Sequence, residues 1–456
     1  MFEYSKKTNL IERRVREYIL NDVPSPELYR EFFSYDEVPK VAFNHRLVPI
    51  HMPDEIWITD TTFRDGQQSI TPYTTEQIVK IFEYLHRLSG PNGVIRQSEF
   101  FLYSKKDRDA VYSCLEKGYA FPEITSWIRA SKKDFELVKE IGLKESGILV
   151  SCSDYHIFLK MKMTRRQAVD HYISIVRECI ESGIRPRCHL EDITRADIYG
   201  FVVPLAMELM RLMEETGVPI KVRACDTMGY GITYPGSTLP RCVQGLIHGL
   251  NQHAGVPSEL IEWHGHNDFY RAVSNASYAW LYGASAVNCS IFGIGERTGN
   301  TPLEAMVFEY AQFRGTLNGI ETTVITELAE YFEKELRYEI PPMTPFVGKN
   351  FNITRAGIHA DGLLKSEEIY NVFDTSKFLN RPPRIAVSNT SGSSGIAHWI
   401  NSFYHLSGED AYHKTHPVVE KVKQWVDSQY DEGRITVIND HELQAVFEGL
   451  MKGESL

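Results

Sequence analysis

The chain has 456 residues, 43% of them hydrophobic, which suits a soluble globular protein built as one large barrel with additions or as several smaller domains. Its net charge of -11, with no basic stretch to offset it, argues against a nucleic-acid partner. No apolar run is long enough to span a bilayer, and the N-terminal residues mix Glu3, Glu12 and Glu17 with basic ones where a signal peptide would be apolar, so the expected location is the cytoplasm.

Residues 1–50 are expected to form a helical extension: Leu10, Val15, Tyr18 and Ile19 mark one helix face, and Pro24 and Pro26 break it. A packing or dimer-contact arm is the expected role. From residue 51 to 322, short apolar or β-branched runs alternate with longer amphipathic stretches. The predicted strands are Ile56–Thr61, Val94–Phe100, Glu123–Ile128, Gly147–Cys152, Arg185–Leu190, Ile220–Cys225, Ile261–His266 and Ala286–Phe292. Helical patterns such as Glu76–Leu88, Lys133–Ile141, Arg165–Ser182, Val202–Thr216 and Tyr270–Tyr282 lie between them. Strand–helix alternation predicts a parallel sheet, and this number of units in this length predicts an α/β fold of the closed (β/α)8 TIM-barrel type. An open doubly wound sheet is the alternative, weakened because no G-x-G-x-x-G follows a strand. Residues 323–456 read as a linker and small helical C-terminal subdomains, with a helix over Thr323–Arg337 and a proline-rich linker over 341–345. The seven cysteines are scattered without a C-x-x-C, as buried free thiols in a reducing compartment would be, which makes a zinc–thiolate site unlikely.

A barrel enzyme carries its chemistry at the C-terminal ends of its strands. Here the predicted strands end, in order, at Arg64-Asp65, Glu99, Arg129, Ser153 with His156, Glu191-Asp192 with Arg195, Asp226-Thr227, His264 with His266, and Glu296 with Asn300. Taken singly, each has a structural explanation. Asp65 would cap a helix, Asp226 would hold the turn before Gly229, and Ser153 and His156 would be a cap and a packed histidine. Taken together, charged or metal-ligating residues at every strand end are hard to explain as solvated loops. Residues i and i+2 of a strand face the same way, so His264 and His266 point together. Asp65, His264, His266 and Asn300 form a ligand set of imidazole and oxygen donors suited to a divalent ion, Mn²⁺ above Mg²⁺, with Zn²⁺ still open. Such an ion would act as a Lewis acid on a 2-oxo acid, with Arg64 beside the developing oxyanion.

The runs Asp60-Thr61-Thr62-Phe63-Arg64-Asp65-Gly66-Gln67-Gln68, His264-Gly265-His266-Asn267-Asp268 and Gly293-Ile294-Gly295-Glu296-Arg297-Thr298-Gly299-Asn300 resemble the signatures of the DRE-TIM metallolyases, within them the Claisen-condensing synthases. The resemblance covers about residues 55–375. It implies a (β/α)8 barrel, a divalent metal, acetyl-CoA as co-substrate and a 2-oxo acid acceptor. It also implies metal ligation by Asp65, His264 and His266 with Asn300 near the metal, and carbonyl polarisation by Arg64. Glu191, His359 and Tyr370 are expected to be the acid–base group that enolises acetyl-CoA, the last two reaching the mouth of a neighbouring subunit in a homodimer. Substrate contacts are expected of Gln68, Glu99, Arg129 and Thr227.

The lyase branch carries a loop cysteine that is missing between Phe292 and Asn300, which argues against a lyase or aldolase on this scaffold. Two departures narrow the acceptor: Ile95-Arg96-Gln97-Ser98-Glu99-Phe100-Phe101 replaces the usual I-E-x-G-F-P, and Gln67 stands where the family usually has Glu. With the long N-terminal arm and Thr71-Pro72-Tyr73, they are most similar to the members that form citrate from oxaloacetate; homocitrate synthesis from 2-oxoglutarate and isopropylmalate synthesis from 2-oxoisovalerate are the alternatives. The acceptor's far carboxylate needs a cation, for which Arg129, Arg187 and Arg223 stay open.

Overall fold

The computed structural model describes residues 2–5, 10–13, 17–44, 46–129, 134–354, 359, 362, 363 and 365–453. Gly357, Ile358, Ala360 and Asp361, expected to flank the catalytic histidine, lie outside the described residues. The chain divides into two compact units, Met1–Glu321 and Thr322–Leu456.

In the first unit eight parallel strands close into a barrel: β1 (Trp57–Asp60), β2 (Ile95–Phe100), β3 (Glu123–Ile128), β4 (Glu145–Ser151), β5 (Arg185–Glu191), β6 (Lys221–Asp226), β7 (Ile261–Gly265) and β8 (Ala286–Cys289). Strand β8 pairs with β1 to complete the ring, as the alternation predicts. Each strand is followed by a helix: α1 (Thr75–Ser89), α2 (Lys105–Leu115), α3 (Phe135–Ile141), α4 (Arg165–Glu181), α5 (Val203–Thr216), α6 (Val243–His248), α7 (Ala272–Leu281) and α8 (Leu303–Arg314). The helices begin where the sequence supplies caps. Thr74 and Gln77 form a capping box at the start of α1, as Thr164 and Gln167 do for α4. Helix α1 buries Ile78, Ile81, Phe82, Leu85 and Leu88, one apolar stripe at helical spacing, against the outside of the barrel.

Inside the barrel the usual branched apolar layers give way to charge. Glu99, Glu145 and Glu262 are buried with Arg187 and Arg223. Arg223 donates to Glu262 at 2.7 Å and to Glu99 at 3.1 Å. Arg187 donates to Glu145 at 2.9 Å and also to Glu99, and Lys221 reaches Glu145 at 2.9 Å. Burying these charges is tolerable only because each meets an opposite one.

The N-terminal helix expected from Leu10, Val15, Tyr18 and Ile19 does not form. Phe2–Ser5 pairs antiparallel with Leu10–Arg13, and the described residues from 17 to 50 contain no helix. The barrel's own loops satisfy the arm's backbone instead: Asn21 N donates to Gly200 O at 2.8 Å, and Arg165 reaches Asn21 O at 2.9 Å. Tyr18 stacks on Tyr199 and His253, and Phe33 is buried against Tyr230.

The second unit contains the helices Val324–Lys334, Ser393–Phe403, Pro417–Asp431 and Asp440–Met451. Trp399, Ile400, Val419, Val422 and Phe447 are among the residues of its apolar core. Among the described residues no helix is long and apolar enough to cross a membrane.

Candidate metal centre and catalytic mouth

Strand register sets the level of the site. Thr59 pairs with Asn288, Asn288 with His264, His264 with Cys225, Cys225 with Glu191 and Glu191 with Ser151. Residues from six strands therefore face inward along one register line, which climbs the barrel axis because the strands are tilted. Just above, the chain leaves β1 in a wide turn over Thr62–Gly66, fixed by Asp65 N donating to Thr61 O at 2.8 Å and Ile291 N to Thr62 Oγ1 at 2.9 Å. That turn carries Arg64 and Asp65. Across β8, the end of β7 carries the two histidines.

The ligand-type atoms of Asp65, His264 and His266 lie within 4.8 Å of one another, and all three residues are buried. His264 Nε2 is 3.4 Å from His266 Nε2 and 3.5 Å from Asp65 Oδ2. Asn300 Nδ2 lies 3.4 Å from the same Asp65 oxygen, while Asn300 Oδ1 is buried without a partner. The loop brings Asn300 in through its glycines. A Cβ on Gly295 would lie 2.6 Å from Asn300 Oδ1, and Gly299 has φ of +90° with its would-be Cβ 2.1 Å from Gly293 O.

The hydrogen-bond network assigns the protons. Asn288 Nδ2 donates to Thr59 Oγ1 at 2.9 Å, so its Oδ1 accepts from His264 Nδ1 at 2.8 Å. His264 Nε2 is then a lone pair facing a carboxylate. Burial, helped by Arg223, lowers the His264 pKa against the pull of Asp65, and burial with His264 nearby takes His266 down to about 3. Burial alone would raise Asp65, but Arg64 and the two histidines outweigh it and hold it below its ordinary value. Two neutral imidazoles and a carboxylate thus converge, and Asn300 meets the carboxylate through its amide nitrogen while its oxygen stays without a partner. A divalent cation is what this donor set fits.

Arg64 donates to Asp65, its guanidinium carbon sits 4.5 Å over the Trp127 ring, and its Nε is buried without a partner. Glu191 ends β5 with one oxygen 3.0 Å from His156 Nδ1 and accepting from Ser151 Oγ. Burial works to raise its pKa; His156, Ser151 and Lys160 outweigh burial and take it to about 2. Glu191 is an ionised carboxylate across the ordinary pH range.

The other expected residues scatter. Glu99 lies inside the barrel, where Arg187, Arg223 and Thr61 occupy its oxygens. Gln68 is exposed, and Arg129 is exposed beside the Tyr103 ring. Thr227 accepts from Asp192 N at 2.9 Å and, through its carbonyl, from Arg297 at 2.6 Å. Asp226 holds a turn, accepting from Tyr230 N and Gly231 N at 2.8 Å each. Gln67 is buried and takes Lys106 Nζ at 2.9 Å. In the second unit the His359 and Tyr370 rings lie 4.3 Å apart. Sequence reasoning passed over Asn288, Trp127 and the weight of His156. Asn288 had a signal: it stands two residues before Ser290 in a strand otherwise made of apolar residues.

A family model described as HMGL-like matches residues 55–331. The chain is 59% identical over 435 residues to a citrate (Re)-synthase of Clostridium kluyveri, covering 95% of this chain and 96% of that one. It is 57% identical over 426 residues to a citrate (Re)-synthase of Syntrophus aciditrophicus, covering 93% of this chain and 68% of that one. A 2-phosphinomethylmalate synthase of Streptomyces hygroscopicus is 36% identical, with 93% and 96% covered. In fold, the chain is similar to the crystal structure of hydroxymethylglutaryl-CoA lyase from Pseudomonas aeruginosa, with a TM-score of 0.51 at 17% identity, covering 63% of this chain and 95% of that one.

Proposed function

The chain belongs to the HMGL-like family, and from that premise we propose that it condenses acetyl-CoA with oxaloacetate to give citrate and CoA. The observation that carries this reading is the convergence of Asp65, His264, His266 and Asn300 on one point, in a chain so similar to two citrate (Re)-synthases. Those four residues would hold a divalent ion, Mn²⁺ by preference given nitrogen and oxygen donors without thiolate, and when bound it supplies Lewis-acid polarisation of the acceptor's keto group.

The chain's own residues do the rest. A thioester methyl is a weak acid and needs a positioned base. Glu191, ionised at the end of β5, orients the proton-accepting group. Arg64, kept in place by the Trp127 face, puts fixed positive charge beside the ketone oxygen as it turns into an alkoxide. Water then cleaves the thioester, releasing CoA and making the condensation irreversible. His359 and Tyr370, by the family resemblance, complete this acid–base group in a neighbouring copy of a cytoplasmic homodimer; their close ring pairing supports joint action.

Thiol release from acetyl-CoA with each 2-oxo acid, with and without chelator, tests the reading. Oxaloacetate is expected to beat 2-oxoglutarate and 2-oxoisovalerate clearly, and chelator to abolish the signal. Absence of thiol with every acceptor at added Mn²⁺ would sink it. Mixing inactive Arg64→Ala and His359→Ala chains is expected to restore some activity if subunits exchange. Failure despite proven exchange would place His359 in its own subunit's site.

A further inference from the structure

His156 belongs to no part of the chemistry described so far, yet the structure invests heavily in its position. It sits in the turn after β4, its buried Nδ1 3.0 Å from Glu191 Oε2 but out of line for a hydrogen bond, and its Nε2 3.7 Å from Asp192 Oδ2. Asp192 is itself immobilised: Arg195 Nε approaches its two oxygens at 2.9 and 3.0 Å. The imidazole is thus wedged between two fixed carboxylates.

What holds the turn is the N-terminal arm. Glu27 N donates to Asp154 Oδ2 at 2.8 Å, and Tyr155 OH donates to Leu28 O at 2.7 Å. The residues on the N-terminal side of His156 are therefore pinned from outside the barrel, more than 120 residues away in sequence. Arg165, whose side chain is fully buried, locks the arrangement. It grips Asp154 with two bonds of 2.9 Å, Asp197 at 2.8 Å and the arm's Asn21 O at 2.9 Å. The Tyr155 ring lies 4.0 Å under the guanidinium carbon of Arg195, which also ties to Asp192. Arm, turn and β5 end form one continuous set of contacts.

We propose that His156 is a positioning residue that fixes the Glu191 carboxylate for the enolisation of acetyl-CoA, and that the N-terminal arm is the strap that holds His156 in place. The proposal rests on the synthase reading for the role of Glu191. It makes the arm part of the catalytic apparatus and gives the second carboxylate oxygen of Glu191 a fixed aim, since Ser151 donates to the first and the His156 ring is packed against it. A carboxylate displaced by about 1 Å from its working position loses on the order of 100-fold in rate.

The test uses the full chain loaded with Mn²⁺. His156→Ala is expected to lower kcat for CoA release by about 100-fold while KM for both substrates stays within about threefold. His156→Asn should recover kcat to within about fivefold of wild type, because its Nδ2 stands where Nδ1 faces Glu191 and keeps a polar N–H against the carboxylate. Tyr155→Phe, which keeps the ring and loses only the bond to Leu28 O, should lower kcat by about three- to tenfold. His156→Ala added to Glu191→Gln should cost little beyond Glu191→Gln alone. Additive losses in that pair, or a wild-type kcat in His156→Ala or Tyr155→Phe, would overturn the proposal. So would a His156→Asn variant as slow as His156→Ala, which would make the imidazole itself the reacting group. Unchanged Mn²⁺ affinity and thermal midpoint exclude misfolding. A separate readout does not need turnover: the ¹⁵N shift of His156 Nδ1 should move in Tyr155→Phe. If the wild-type chain releases CoA with no acceptor, the synthase reading fails, while an unmoved ¹⁵N shift overturns the arm's hold independently.

Discussion

Two layers of the same barrel use the same kinds of side chain to opposite ends. Below the mouth, Glu99, Glu145 and Glu262 face Arg187, Arg223 and Lys221, and each carboxylate meets a cation. One layer higher, Asp65, His264, His266 and Asn300 are equally buried, yet the imidazole nitrogens of His264 and His266 face each other and the carboxylate, and Asn300 Oδ1 has no partner. Burial and polarity are shared; the pairing of charge is not, although Arg223 Nη2 in the lower layer is also left without a partner. A network in which every carboxylate meets buried cations specifies and stiffens the fold, whereas two imidazoles converging on one carboxylate form a donor set that fits a cation.

The comparison breaks most visibly if the upper layer turns out to be structural. His264→Ala is expected to abolish Mn²⁺ binding by calorimetry and to reduce CoA release by about 1,000-fold or more, while the metal-free chain unfolds within about 1 kcal/mol of wild type, since the imidazole facing Asp65 and His266 is removed along with only one neutral hydrogen bond, to Asn288. A metal-free variant destabilised as much as a lower-layer variant would erase the distinction. The converse substitution is Glu99→Gln. It leaves Arg187 and Arg223 short of a counter-charge in a fully buried site, and a loss of about 3–5 kcal/mol in denaturant unfolding is expected.

Acid should act on the buried imidazoles of both layers over the same range, His189 in the lower one and His264 and His266 in the upper. Burial, with Arg223 beside it, takes His189 from 6.5 down to about 3 against the pull of Glu99. The unfolded chain therefore binds a proton that the folded one refuses, and the stabilisation present above pH 6.5 is lost as pH falls towards 3. Glu262 adds a second stage. Burial raises its pKa, but Arg223 and Arg187 outweigh that and hold it at about 2, so its contribution disappears as pH falls from 4.5 towards 2. The urea midpoint is expected to decline from pH 6.5 downward, and His189→Gln to flatten the part of the decline above pH 4.5. A midpoint constant from pH 7 to 5 in the wild type would contradict the buried neutral imidazole.

The barrel was legible because each strand is a short β-branched run with turn residues on both sides, and local patterning alone decides such elements. The clustering of the candidate metal corner was legible for a related reason: strand periodicity fixes that His264 and His266 share a face, and closure brings β1 near β7. What could not be read was pairing between distant charges. Glu99, Arg187 and Arg223 each suggested a substrate contact because nothing local shows that residues 88 and 124 positions away consume their hydrogen bonds. The arm failed differently. Its few apolar positions fit a helix, but the deciding term was the set of backbone partners offered by Gly200, Asp154 and Arg165, again remote in sequence.

The two layers are not insulated from one another, and the smallest expected effect measures the link. His264 Nδ1 donates to Asn288, Asn288 donates to Thr59 Oγ1 at 2.9 Å, Thr59 donates to Glu262, and Glu262 accepts from Arg223 at 2.7 Å. Thr59 is the one hydroxyl in that chain, so it relays a proton direction from the lower layer to the upper one. Thr59→Val keeps the shape and removes the relay. Glu262 retains its bond from Arg223, so stability should fall by only about 1 kcal/mol. Asn288, however, loses the acceptor that keeps its oxygen turned towards His264, and Mn²⁺ affinity should weaken by about tenfold, the scale of losing a group that orients a ligand. The double variant with Asn288→Ala separates direct from relayed effects: if Thr59 acts through Asn288, the second substitution adds almost nothing to the loss of Mn²⁺ affinity. Independent losses in affinity would mean that the lower layer touches the metal corner only through bulk packing, and the division between a structural network and a functional one would then be complete.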